Sequence, residues 1–287
     1  MEMGKPSAPA PGHTATLAAV GRALHMSTSH ERLIEDRLAL ALAGDAGATL
    51  LDQLRAQTPA DALDGLALAF AIRARYVEDL VSRLVERGTS QYLVLGAGLD
   101  TFAWRRTALM KRLRVFEVDL AAAQEWKKRR LAELGIPVPD RLTFIPLDFE
   151  FEDLGSALVA SGFDSTMPTG VSWIAVSQYL GRPAIERTLR WAAGLASASR
   201  LVMTYVVPPD QLSELAQAGL AWTRSQAAAR GEPFLSLFRP PEIVSTLREA
   251  GFSEVELVED DDLRRLYLRS WPDAPLTGIE RLVVATV

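Results

Sequence analysis

The chain has 287 residues, 48% of them apolar, and a formal net charge of −5. That supplies enough apolar material for a sizeable core, and the acidic balance argues against a general nucleic-acid binder. With no cysteine, disulfides, thiolate metal sites and a cysteine nucleophile are excluded; the lack fits a reducing, cytoplasmic setting.

Residues 1–15 hold Pro6, Pro9, Pro11 and Gly12 among small residues, without the apolar segment of a signal peptide, and read as a flexible tail. From 16 to 88 the pattern is helical. Leu50, Leu51 and Leu54 share one face, Leu80, Val81 and Leu84 another, and Thr58-Pro59 marks a break with a fresh start. This stretch is expected to form an N-terminal helical cap.

At 89 the pattern changes. Short apolar runs at 91–95, 114–119, 142–147, 172–176, 200–207, 254–258 and 281–287 read as seven strands. Helical stretches at 121–134, 183–196 and 241–250 separate most of them. The alternation predicts an α/β fold over 89–287, a mostly parallel sheet covered on both faces, with an antiparallel edge among the last two strands. Pro208, Pro209 and Asp210 start a helix, and residues 211–240 form extra material between strands five and six, a lid in position. No apolar run reaches the ~18 residues of a membrane span.

The decisive stretch runs from Leu95 to Thr101, directly after the first strand. Glycine at 96 and 98 lets the backbone turn tightly and approach a ligand, with Ala97 between them. Ligands of open α/β sheets sit at this end of the strands. A dinucleotide fingerprint needs a third glycine where Thr101 stands, and Asp100 puts negative charge where a pyrophosphate would lie. A ligand with a cationic centre and no phosphate, such as S-adenosylmethionine, is favoured. Asp119, ending the second strand, is placed to accept from ribose hydroxyls. Glu117 competes for that role but lies deeper and reads equally as a buried polar group. Asp148 could accept from the adenine amino group, with Phe149 against the ring and Leu147 beside it, or cap a helix.

Residues Leu93 to Arg105 resemble the signature of the leucine carboxyl methyltransferase family, in particular its bacterial branch of S-adenosylmethionine-dependent enzymes that includes polyketide O-methyltransferases. Glu35-Asp36 with 42–45, the arginine helix at 71–79, and the segments 115–126, 142–150, 172–180 and 232–240 follow in the family's order. The resemblance implies a Rossmann-like class I methyltransferase fold with S-adenosylmethionine as cofactor and a small-molecule acceptor, and secondary-metabolite O-methylation as the activity. It implies that Arg73 holds the cofactor's methionyl carboxylate, consistent with a bidentate guanidinium–carboxylate pair; Arg75 could share the task. Asp100 resembles the family acid near the methionyl ammonium. Two departures stand out: Arg37 where many relatives have proline, and Ile174 where eukaryotic members carry glutamate.

Acceptor-side candidates are Ser177, Tyr179 and His25, with no general base singled out; a carboxylate acceptor needs none. His25 and His30 belong to the cap or are exposed helix residues, and His13 falls in the tail. Trp173 reads as core. The basic run 127–130 reads as a solvated helix face. Phe234, Leu235, Leu237 and Phe238 line an acceptor pocket or pin the lid. No metal-ligand spacing, phosphate loop or serine elbow is present. A cofactor-binding protein without turnover and a nicotinamide-dependent oxidoreductase remain as alternatives.

Overall fold

The computed structural model describes residues 12–27 and 32–287. The chain opens with three helices, α1 (His13–His25), α2 (Ala39–Gln57) and α3 (Ala60–Glu86). The tail expected to reach residue 15 is therefore corrected: α1 begins at His13, where small residues give way to a helix-forming run. α2 bends at Gly44, whose φ of 63° no ordinary helical residue adopts. Pro59 sits just before α3, where its fixed φ starts a helix without losing a needed donor.

The remaining elements alternate: β1 (Gln91–Leu95), α4 (Phe102–Arg105), α5 (Thr107–Met110), β2 (Arg114–Asp119), α6 (Ala121–Glu133), β3 (Leu142–Pro146), α7 (Leu154–Ala160), β4 (Thr169–Trp173), α8 (Arg182–Ala193), β5 (Arg200–Val206), α9 (Glu214–Ala228), α10 (Pro240–Ala250), β6 (Glu254–Val258), α11 (Asp260–Tyr267) and β7 (Glu280–Thr286). Short 3-10 turns form at Ser177–Tyr179 and Pro209–Gln211. All seven expected strands are present. The fourth is shifted to earlier residues, because Ala175 turns to a φ of 59° and ends the strand before it.

The strands form one sheet in the order β3-β2-β1-β4-β5-β7-β6. β1 to β5 run parallel, and β7 is antiparallel to both neighbours. The order reverses between β1 and β4, which opens a crevice at the carboxyl ends of these strands. Both faces are covered. Leu93, Phe116, Val171 and Leu201 pack against Leu158 of α7, Ile185 and Leu189 of α8 and Ile243 of α10. Tyr92, Val94 and Val202 pack against Leu68, Ile72, Leu80 and Leu84 of α3. Each such side chain, fully buried, stabilises by about 1.5–3 kcal/mol. A smaller cluster of Ala19, Leu42, Leu99 and Leu131 joins α1, α2 and α6 over the turn that follows β1. Among the described residues, no helix is long and apolar enough to cross a membrane.

Candidate active site

The turn after β1 has the geometry its glycines allow. Gly96 and Gly98 take φ values of 67° and 48°. The amides of Gly96 and Ala97 both donate to the Val118 carbonyl, at 2.8 and 3.1 Å. Gly98 N donates to Asp119 Oδ2 at 2.5 Å and Leu120 N to Oδ1 at 2.7 Å. Asp119 thus holds the turn itself, and each oxygen keeps a further lone pair for ribose. Burial pushes its carboxyl up, opposed by these two amides. A side chain on Gly96 would meet Val176, and a Cβ on Gly98 would stand 3.1 Å from that of Ala15 in α1. Asp100 accepts from Phe102 N at 2.7 Å and so shapes the entry to α4.

Glu117 lies beneath this surface. It is 1% exposed and accepts from Lys127 Nζ at 2.6 Å, while its other oxygen has no partner among the described residues. Burial pushes its carboxyl up to about 7 against the pull of Lys127. It is a buried ion-pair partner, and the cofactor role weighed for it is corrected: the side chain is sealed from the crevice. Lys127 is equally buried, so the basic run is no uniform solvated face. It contacts the Trp104 and Phe144 rings, and only Lys128 of the four is exposed.

The segment after β3 departs further from expectation. Leu147 is 2% exposed, with its amide on the Asp119 carbonyl at 2.9 Å. Asp148 is half-buried and accepts from Glu150 N at 2.9 Å, while Asp153 caps the next helix. Phe149 is 7% exposed with its ring centroid 6.1 Å from that of Trp173. Its ring serves the core, which corrects the expected stacking role. Trp173 is wholly buried, as read from the sequence.

A charged network locks the cap to the glycine turn. Arg22 of α1 donates to Asp36 at 2.8 Å and to the Leu99 carbonyl at 2.7 Å. Asp36 also accepts from Thr101 Oγ1 at 2.6 Å and lies 3.5 Å from Arg105. Arg105 and Arg106 pair with Glu78 of α3. Burial pushes Asp36 up, but Arg22, Arg105 and Thr101 outweigh it and hold the carboxyl below its ordinary range. Glu78 ends above its ordinary range, burial outweighing its two arginines. In the sequence, Asp36 and Glu78 stand out only as parts of the family-like segments. Thr101, wholly buried, is the residue that replaces the third glycine, and its hydroxyl is committed here.

Arg73 projects from α3 and is 7% exposed. Its Nη1 pairs with Glu280, the first residue of β7, and its guanidinium lies 4.9 Å from the Phe70 ring centroid. Its Nε has no hydrogen-bond partner among the described residues. Arg75 instead pairs with Asp79 at 3.0 Å and reaches the Leu33 carbonyl, a structural role.

His25 is corrected as an acceptor-side group. It is 3% exposed, and its Nε2 accepts from Leu33 N at 2.8 Å; burial, with Arg32 nearby, brings it down to about 4. His30 lies outside the described residues. Ser177 is corrected too, being 1% exposed with its hydroxyl on the Thr204 carbonyl at 2.9 Å. Tyr179 is half-buried and meets the Phe234 ring edge-on at 5.2 Å; burial raises its hydroxyl well above the ordinary range. The residues expected to form the lid divide. Phe238 is core, Leu235 is exposed, and the amides of Leu235 and Ser236 fasten this segment to the Gln178 carbonyl. Among the described residues no group of His, Asp and Glu could hold a metal.

The donor set suits an adenosyl amino acid: a carboxylate at the end of β2, a tight glycine turn beside it, and a buried guanidinium with an unused N–H. A family model for leucine carboxyl methyltransferase matches residues 15–193. A Bacillus subtilis protein named "Putative S-adenosyl-L-methionine-dependent methyltransferase YktD" is 33% identical over 205 residues, 70% of this chain and 66% of that protein. A Frankia alni protein of the same description, FRAAL3718, is 32% identical over 282 residues, 83% of this chain and 96% of that one. The chain thus spans just under two thirds of the first relative's length and 63% of another Frankia relative's. Two solved structures share the fold. A DUF574 family protein from Streptomyces avermitilis has a TM-score of 0.60 at 18% identity, covering 96% of this chain and 97% of that one. A protein titled a putative methyltransferase from Thermobifida fusca has 0.57 at 20% identity, covering 100% and 99%. The chain belongs to the leucine carboxyl methyltransferase family.

Proposed function

We propose that this protein transfers a methyl group from S-adenosylmethionine to an oxygen, hydroxyl or carboxylate, of a small-molecule acceptor, within secondary metabolism in the cytoplasm. The observation that carries the reading is the pairing of two grips at one sheet end. Asp119 and the Gly96–Gly98 turn would hold the ribose side, and Arg73 the methionyl carboxylate. When bound, the cofactor supplies an electrophilic methyl on a sulfonium. The protein's part is to hold an acceptor in line with it, since orientation alone can lower such a barrier by about 7–11 kcal/mol. Gly96 and Gly98 take the positive φ this turn needs, with Val176 and Ala15 packed where side chains would stand. Asp119, with its turn-side lone pairs already bonded, is oriented before any ligand arrives. Tyr179 and Phe234 offer an aromatic wall beyond the turn for the acceptor. A nicotinamide dinucleotide suits this site poorly, because the Asp100 carboxylate stands at the turn where a pyrophosphate needs donors.

Isothermal calorimetry with S-adenosylhomocysteine tests the reading. Saturable binding to wild type is expected, weakened in Arg73→Ala. An absence of binding, or equal weakening for 5′-methylthioadenosine, which lacks the amino-acid arm, refutes the assignment. Transfer of labelled methyl to a panel of phenols, alcohols and acids then identifies the acceptor. Tight binding with no transfer to any panel member favours a cofactor-binding protein without turnover.

A further inference from the structure

Arg73 and Glu280 are 207 residues apart in sequence and form one ion pair. Their side chains are only 8% and 13% exposed. Glu280 opens β7 opposite Val206, the last residue of β5. Because β7 is antiparallel, this puts Glu280 at the same sheet end as the glycine turn. The pair is incomplete on both sides: Arg73 Nε and Glu280 Oε1 are buried and have no hydrogen-bond partner among the described residues. Buried polar atoms are seldom left so, and an unmet one in a charged pair is costly. Each partner therefore retains one unused position, a donor on one side and an acceptor on the other.

That pattern is the complement of an α-amino acid. Its carboxylate needs donors, its ammonium needs acceptors, and the two are joined through a single carbon. Resting on the reading that Arg73 takes the methionyl carboxylate, we propose that Glu280 binds the methionyl ammonium, so that the zwitterionic end of the cofactor inserts into the Arg73–Glu280 pair. Without ligand the two protein charges neutralise each other. With ligand each meets the opposite charge of the zwitterion, and no buried charge is left alone in either state. Asp100 is the competing acid, but one of its oxygens is already engaged by Phe102 N. Glu280 also stands near the Tyr179 hydroxyl, which it raises together with Glu232, burial being the larger cause. The amino-acid arm would thus lie between the glycine turn and the aromatic wall.

Calorimetry on the full chain decides this, using S-adenosylhomocysteine, its deamino analogue and 5′-methylthioadenosine. Glu280→Gln should weaken S-adenosylhomocysteine by about tenfold or more, the scale of one charge-assisted hydrogen bond. It should leave 5′-methylthioadenosine unchanged and tighten the deamino analogue, whose carboxylate takes Arg73 and would leave a Glu280 carboxylate stranded. Unchanged or tighter binding of S-adenosylhomocysteine by Glu280→Gln overturns the proposal, tighter binding meaning that Glu280 only competes for Arg73. If that variant does not fold, Asp100→Asn supplies the test. It should retain the wild-type preference for S-adenosylhomocysteine over the deamino analogue, and loss of that preference assigns the ammonium to Asp100 and overturns the proposal. Failure of wild type to bind either S-adenosylhomocysteine or 5′-methylthioadenosine instead defeats the cofactor reading on which all of this stands.

Discussion

Asp36→Asn removes one charge from the network that fastens the cap to the glycine turn. The side chain is wholly buried and meets Arg22, Arg105 and Thr101, and it accepts from Ala39 N at 3.0 Å. Breaking a buried pair from one side costs about 3–5 kcal/mol. The lower end applies, because Arg105 keeps Glu78 and Arg22 keeps the Leu99 carbonyl. A loss of about 3 kcal/mol lowers Tm by roughly 6–12 °C in a domain of this size. The sign with pH follows from the depressed carboxyl. The folded protein holds Asp36 below its ordinary value of 3.8, so the contribution is present above that value and is lost as pH falls through the folded one. The Tm gap between wild type and variant should therefore be full at pH 7 and shrink below pH ~4. Differential scanning calorimetry across pH checks both parts. A variant within 1 kcal/mol of wild type at pH 7, or a gap that widens in acid, refutes the reasoning.

Asp119→Ala removes two acceptors of turn amides as well as the ribose contact. S-adenosylhomocysteine affinity should fall at least tenfold, read by calorimetry, with near-native circular dichroism. His25 is depressed to about 4 from 6.5, so the folded state resists protonation and stability is lost as pH falls from 6.5 towards 4, by up to about 3 kcal/mol. His25→Gln, still able to accept from Leu33 N, should flatten that slope in urea titrations. Lys127→Met strands the Glu117 carboxylate and should destabilise by about 3–5 kcal/mol; adding Glu117→Gln should restore much of the loss, and additive losses in the double variant would contradict the buried pair.

The strands were legible because a buried parallel sheet demands short continuous apolar runs, and turn residues bound them. The glycine turn was legible because only glycine serves where Val176 and Ala15 press close. Asp119 was found by spacing, yet its grip on the Gly98 and Leu120 amides needs three-dimensional knowledge. Lys127 looked like surface because its three neighbours are basic. What hides it is helical phase: one position of four turns inward to Glu117. Phe149 was misread because a loop aromatic can face ligand or core, and composition does not choose. Arg73 with Glu280, and Asp36 with Arg105, join segments far apart along the chain. No local pattern encodes such partners, since an ion pair constrains position and leaves sequence separation open.

Ala15 stands over Gly98, and Glu232, from the segment between β5 and β6, accepts from the Thr14 amide at 3.1 Å. A ligand atom reaching the turn from that direction must take the place of the methyl now there. The hydrogen bond from Thr14 to Glu232 fastens that end of the helix, so the width of the crevice on this side is set by a contact remote from the sheet.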